Sequence, residues 1–319
     1  MISNLNNLPK NYDTHHWADY IEILCLADKA GEVSIADILD RVKEIKDLER
    51  VSANIPGVGK AELDDIWQNR ALEWFEHFPY RIEAFNSSYP FNLSDDGKTL
   101  IRKRPIASLR KLYIFFLLSS NLRCLEKVFY NRFAGAFEYA CLTALNEYMS
   151  DGSKVYMFGK NIYNNQSRYS GQLWSKILRL ASDLGEKVIV EEEEFNPTDT
   201  GDNGLDVVGW VPFKDSAQGR LLVFSQCTCR PDWEGKQYQS SPMNWSNIIS
   251  FTAPPANFMF IPYCFRKPSG GWYKIRDIKE TTLIDRERLI TLLRDKHRSL
   301  RKIIYELAEK AVEYNESIF

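Results

Sequence analysis

Apolar residues recur at 17, 20, 21, 24 and 25 in HHWADYIEILCLADKAG, the spacing of one helix face, and a glycine stands where the pattern stops. SIADILDRVKEIKDL repeats the pattern at 35, 38, 39 and 42 behind a serine placed to cap a helix. LDDIWQNRALEWFEHF resumes it after a PGVG break, and YPFNLSDDGKTLIRK at 89–103 reads as a hairpin turning at DDGK. SLRKLYIFFLLSSNL and FAGAFEYACLTALNEYM (133–149) predict two further helices. After about residue 150 the texture changes. SGQLWSKILRLASDLG (170–185) is an amphipathic helix from serine to glycine, followed by strand-like EKVIVEEEEF, GLDVVGWVPF and RLLVFSQCTC, with ANFMFIPYCF as a fourth strand. TLIDRERLITLLRDKHRSLRKIIYELAEKAVEYNE closes the pattern as one long helix or two shorter ones. The prediction is an α/β chain with a mainly helical N-terminal domain (1–125) and a second domain (126–319). The second domain is expected to hold a mixed sheet flanked by helices, because strands joined by short loops pair antiparallel.

Length and composition narrow the class. A chain of 319 residues with 44% hydrophobic and 13% aromatic content suffices for two packed domains. Its richest apolar run, LYIFFLLSSNL at 112–122, meets Arg123 well short of the roughly 18 residues that a membrane helix needs. The opening MISNLNNLPKNYDTHH lacks the basic start and apolar stretch of a signal peptide, so the expectation is a cytoplasmic protein with no membrane partner. Among six cysteines only Cys227 and Cys229 are close neighbours, a spacing without the second pair that a zinc site needs. The net charge of −2 argues against coating nucleic acid by bulk charge. RKRPIASLRK (102–111) and RERLITLLRDKHRSLRK (286–302) are nonetheless basic, and EEEEF (191–195) is acidic. Each run alone reads as a solvated face; together they suit an acidic metal pocket flanked by phosphate-binding patches. His15, His16, His77 and His297 are dispersed, G-x-S-x-G is absent, and GVGKAE at 57–62 lacks P-loop spacing. Trp210, Trp233, Trp245 and Trp272 suit core packing better than base stacking.

The informative feature is the order of polar residues inside apolar strands. Asp206 follows a glycine-rich turn and precedes VVGW; twenty positions later Gln226 ends LLVFS. A carboxylate and an amide at the ends of adjacent strands can converge on one hard cation, and oxygen ligands are what Mg²⁺ demands. GDNGLDVVGW followed by a strand ending in Gln resembles the PD-(D/E)xK nucleases, the restriction-endonuclease-like superfamily, and looks closest to Mrr-like restriction enzymes. The resemblance spans about residues 130–265. It implies that Asp206 and Gln226 hold Mg²⁺ or Mn²⁺. The family's lysine falls on Thr228, and Lys236 is the nearest replacement, with Arg230 as another. The family's helical glutamate maps to Glu138, which could equally pair with Arg132 or Lys127. Of Glu191–Glu194, strand alternation would put Glu192 and Glu194 on one face, and Glu192 is taken as a further metal ligand. The function implied is a metal-dependent DNA endonuclease, the effector of a bacterial anti-phage defence or restriction system. Its partners would be DNA, proteins of the same system and a second copy of the chain. Two alternatives stay open: a catalytically degenerate subunit that binds DNA or scaffolds partners, and an interaction protein in which Asp206 and Gln226 are structural.

Overall fold

Ser34 ends one element and begins the next. Its hydroxyl accepts from the Asp37 N–H at 3.1 Å, the serine cap that the sequence predicts, and the Asp37 carboxylate returns the contact by accepting from the Ser34 N–H at 2.7 Å. The computed structural model describes all residues except 10–12, 46–59, 164–167, 216, 295–297, 314–317 and 319. His297 and the glycines of GVGKAE lie outside the described residues. The chain divides into two compact units, residues 1–130, 263–273 and 301–319 in the first and residues 131–262 and 274–300 in the second.

The first unit contains α1 (Thr14–Ala27), β1 (Glu32–Ser34), α2 (Ile35–Glu44), α3 (Lys60–Phe75) and α4 (His77–Phe85). The expected hairpin follows as β2 (Phe91–Leu93) and β3 (Thr99–Arg102), and α5 (Ser108–Ser119) comes after it. Strand β3 is central, with β1 and β2 antiparallel on either side. Apolar periodicity marks a single stripe on α1, yet the helix is buried from His15 to Ala27, polar residues included. The two carboxylates among them, Asp19 and Glu22, are satisfied internally. From α4, Arg81 Nη1 reaches Asp19 Oδ1 at 2.8 Å and Glu22 Oε1 at 2.7 Å, and Nη2 donates to the His15 carbonyl at 3.2 Å. Tyr89 and Tyr113 donate to Glu22, and Ser120 donates to Asp19. Trp17 stacks on Trp74 at 4.1 Å, tying α1 to α3.

A pH effect follows from the same region. His77 is buried with Nε2 2.7 Å from Thr14 Oγ1. Burial, assisted by Arg81 and opposed by Asp19, pushes its pKa down to about 3. An unfolded histidine takes up its proton near pH 6.5, so acid favours the unfolded state. The stability due to neutral His77 is complete above that pH and is lost as pH falls toward 3. The loss should reach about 2 kcal/mol between pH 6.5 and 5, at about 1.4 kcal/mol per unit. Denaturant titrations of wild type and His77→Gln at pH 7 and 5 measure it. Wild type should lose more stability than the variant; equal losses would refute the assignment.

The second unit begins with α6 (Tyr130–Tyr148), β4 (Lys154–Met157) and α7 (Leu173–Leu184). Next come β5 (Lys187–Val188), β6 (Val207–Trp210), β7 (Leu222–Cys227), α8 (Pro242–Trp245), β8 (Ile249–Ser250) and β9 (Ala256–Phe260). β10 (Thr282–Ile284) and α9 (Arg286–Leu293) follow, then α10 (Arg298–Val312), most of which belongs to the first unit. The five-stranded sheet runs β10-β9-β7-β6-β4. β6 is antiparallel to both of its neighbours, β4 and β7, whereas β7, β9 and β10 are parallel, so the sheet is mixed as expected. On one face Val208, Trp210, Leu222 and Phe224 join Leu173, Ile177, Leu180 and Leu184 of α7 in a core completed by Trp245. On the other face Gly209 leaves room for α6: a Cβ there would lie 2.6 Å from Met149 Sδ. Helix α7 ends at Gly185, at φ 73°, the stop that the sequence marks.

Several expectations are corrected. EKVIVEEEEF is not a sheet strand. Only Lys187–Val188 is extended, paired with β8 in a separate ribbon, and Glu192–Glu194 forms a 3₁₀ turn with all four glutamates exposed. Four consecutive carboxylates would place two of them on a buried sheet face, which desolvation forbids. The closing apolar pattern is two helices, and its first residues form strand β10, because Asp285 caps α9 and so ends the strand. β10 lies at one edge of the sheet, where Arg288 Nη1 donates to the Leu283 carbonyl at 2.7 Å; at the opposite edge β4 carries the exposed Lys154. Trp210, Trp233 and Trp245 are buried and serve packing, while Trp272, in the first unit, lies under the Arg266 guanidinium at 3.8 Å. All six cysteines are free thiols. Among the described residues no helix is long and apolar enough to cross a membrane.

Candidate functional site

The turn before β6 sets the site. Asn203 and Gly204 both have positive φ, 51° and 75°, and the Leu205 N–H closes on the Asp202 carbonyl at 3.0 Å, a type I′ arrangement matching Asp-Asn-Gly. Gly204 is required twice over, since a Cβ would also lie 2.5 Å from Gln239 Cβ. The turn delivers Asp206 one position before Val207, whose partner is Ser225, so Asp206 stands opposite Gln226 on the neighbouring strand. The two side chains meet. Gln226 Nε2 donates to Asp206 Oδ2 at 2.7 Å, and the Cys227 N–H donates to the same oxygen at 2.6 Å.

The other end of the Gln226 amide is unsatisfied. Gln226 is only 8% exposed, and its Oε1 is a buried acceptor without a hydrogen-bond partner. Such a group costs about 1–3 kcal/mol unless something outside the chain supplies a donor or a cation. Glu138, on α6, accepts from Asn161 Nδ2 at 2.9 Å, and neither Arg132 nor Lys127 provides that bond. Burial raises the Asp206 pKa well above the carboxylate range; Glu138 and Asp202 raise it further, and the Cys227 N–H and Lys236 oppose them. Burial and then Asp202 also raise Glu138, against the Asn161 bond. Asp206, bonded to the Gln226 amide, and Glu138 are therefore both disfavoured as anions, by burial first and by a neighbouring carboxylate besides.

The remaining predicted residues divide. Lys236 is brought close enough to favour ionised Asp206; its Nζ contacts Gln239 Oε1 at 3.4 Å. Thr228, at the lysine position, is buried with its hydroxyl accepting from the Arg230 N–H, and Arg230 is exposed in a paired contact with Asp232 at 2.9 and 2.7 Å. Glu192 is not brought to the site; it sits in the exposed 3₁₀ turn. The basic runs are partly structural. Arg102 donates to the Leu26 carbonyl, and Arg286 to the Pro262 carbonyl at 2.8 Å, both from buried positions.

Sequence reasoning passed over Asp202, Asn161 and Lys176. Asp202 stands in the very turn singled out, but its Oδ1 accepts from the Gly204 N–H at 2.8 Å, an ordinary turn contact. Asn161 lies in an irregular segment after β4 with no periodicity to flag it. Among the described residues, no group of three or more His, Cys, Asp or Glu side chains is set to hold a metal ion. A cation here would depend on the Gln226 amide oxygen together with carboxylates. No family profile, curated protein or solved structure matches the chain.

Proposed function

We propose that this chain is a divalent-metal-dependent DNA endonuclease built on a restriction-endonuclease-like sheet, acting as the nuclease subunit of a bacterial defence or restriction system. The observation that carries the reading is the orphaned, buried Gln226 Oε1 beside an Asp206 whose ionised form is disfavoured by burial and then by its carboxylate neighbours. Both defects disappear together if a cation binds. The residues fit Mg²⁺ or Mn²⁺: Asp206, Gln226 and Glu138 would hold it, all through oxygen. When bound, such an ion supplies Lewis-acid activation of water and neutralises charge at phosphorus. This chain's own residues do the rest. The Cys227 N–H and Gln226 amide orient the Asp206 carboxylate, Asn161 orients Glu138, and Lys236 adds positive charge at the rim.

A second reading has its own support. The position of the family lysine holds Thr228 with its hydroxyl engaged by the backbone, which favours a degenerate subunit that binds DNA or scaffolds partner proteins, a second copy included. Plasmid cleavage with Mg²⁺ or Mn²⁺ separates the two. The nuclease reading expects nicked or linear DNA from wild type and a fall of about 100-fold or more in Lys236→Ala, on the scale of losing one transition-state charge contact. Absence of cleavage by wild type, with salt-sensitive DNA binding retained, would select the degenerate subunit.

A further inference from the structure

We propose that Lys176 is the positioning residue of this site: it fixes the turn that carries Asp202 and Asp206, and so sets the affinity for the cation. The proposal rests on the metal reading above. Lys176 lies on α7 within the apolar stripe formed by Leu173, Ile177 and Leu180, and is only 1% exposed. Lysine is rarely buried, because removing its charge from water costs several kcal/mol. Here its Nζ donates to the carbonyls of Thr200 and Gly201, each at 2.7 Å. Gly201 immediately precedes Asp202, so the ammonium grips the base of the acidic turn.

The grip is part of a larger one. Gln172 Nε2 donates to the Pro197 carbonyl at 2.6 Å, and the Leu173 N–H to the Asp199 carbonyl at 2.8 Å. The first turn of α7 thus holds residues 197–201 by four hydrogen bonds, two of them from Lys176. An apolar residue would pack equally well against the core but would leave two carbonyls unpaired. It would also remove a positive charge that stands near Asp202 and Asp199, both of which favour the charged lysine against the cost of its burial. With two of its donors committed to main-chain carbonyls, Lys176 acts through the turn.

Full-length wild type, Lys176→Met, Lys176→Arg and Asp206→Asn test this with two readouts, neither of which is cleavage. The first is amide hydrogen exchange in metal-free protein. In Lys176→Met, exchange at Gly201, Gly204 and Leu205 should accelerate about tenfold or more while the amides of β6 and β7 keep their protection. The second is Mn²⁺ binding by calorimetry. Affinity should fall about tenfold or more in Lys176→Met, on the scale of losing an outer-shell support, and Lys176→Arg should recover part of both effects. Unchanged exchange in the turn, acceleration spread evenly over the second unit, or wild-type Mn²⁺ affinity in Lys176→Met would each overturn the proposal. If wild type binds no Mn²⁺, the cation reading falls and the proposal falls with it. If wild type binds and Asp206→Asn does not, that reading stands and Lys176→Met decides the proposal alone. Should Lys176→Met not fold, Lys176→Arg carries the comparison: its broader head cannot set one ammonium between both carbonyls, and wild-type values in both readouts would overturn the proposal.

Discussion

Arg81→Met should destabilise the protein by about 3–5 kcal/mol, the scale for removing one partner of a buried ion pair. Against a typical total of about 5–15 kcal/mol this is a large share. The guanidinium has 0% exposure and contacts two carboxylates, Asp19 and Glu22, that are equally inaccessible. Without it, the carboxylates must be neutralised or the helices carrying them must open. The surroundings are built for negative charge, with Tyr89 and Tyr113 donating to Glu22, and the Tyr89 pKa is raised accordingly by burial and by Glu22. Urea titration gives the loss directly. The triple variant Arg81→Met, Asp19→Asn, Glu22→Gln should recover much of it, because it removes the charges instead of orphaning them. A loss below about 1 kcal/mol in the single variant, the size expected of a surface pair, would show that the cluster does not hold the first unit together.

Asp206→Asn should move stability and activity in opposite directions. In metal-free protein, the ionised aspartate is disfavoured by burial and by Glu138 and Asp202. A neutral isostere relieves this, and with its amide oxygen in the place of Oδ2 it still accepts from Gln226 Nε2. The Cys227 N–H keeps an acceptor. Thermal stability without metal should therefore equal or exceed that of wild type. If the proposed site holds Mn²⁺, wild type should be stabilised by it, because such an ion would bind only the folded state, and in the variant that stabilisation should vanish. Cleavage should fall at least about 100-fold, more than outer-shell losses produce. A variant that is clearly less stable than wild type, yet cleaves normally, would make Asp206 a structural residue.

The pairing of Asp206 with Gln226 was more legible in the sequence than the fold around it. Asp206 and Gln226 were legible because a type I′ turn and an antiparallel register convert a spacing of twenty residues into a cross-strand contact. Ser34 and Gly185 were legible because caps are local chemistry. Glu192 misled because alternation was assumed before a strand existed. Lys176, Arg102 and Arg286 were hidden for the opposite reason. Charge reads as solvent exposure in a sequence, whereas these three are buried against main-chain carbonyls. The short strands β4 and β10 escaped because three or four residues carry too little period to separate from neighbouring helix.

The Arg288 contact at the edge of the sheet has a consequence for how the protein behaves in company. Strand β10 is parallel to β9 and would otherwise present unpaired carbonyls to any extended chain. By donating to Leu283, Arg288 occupies one of those acceptors and places a cation at the margin, while Lys154 guards the opposite strand. Charge at both rims disfavours the recruitment of foreign strands, the device by which sheet proteins limit edge-to-edge addition.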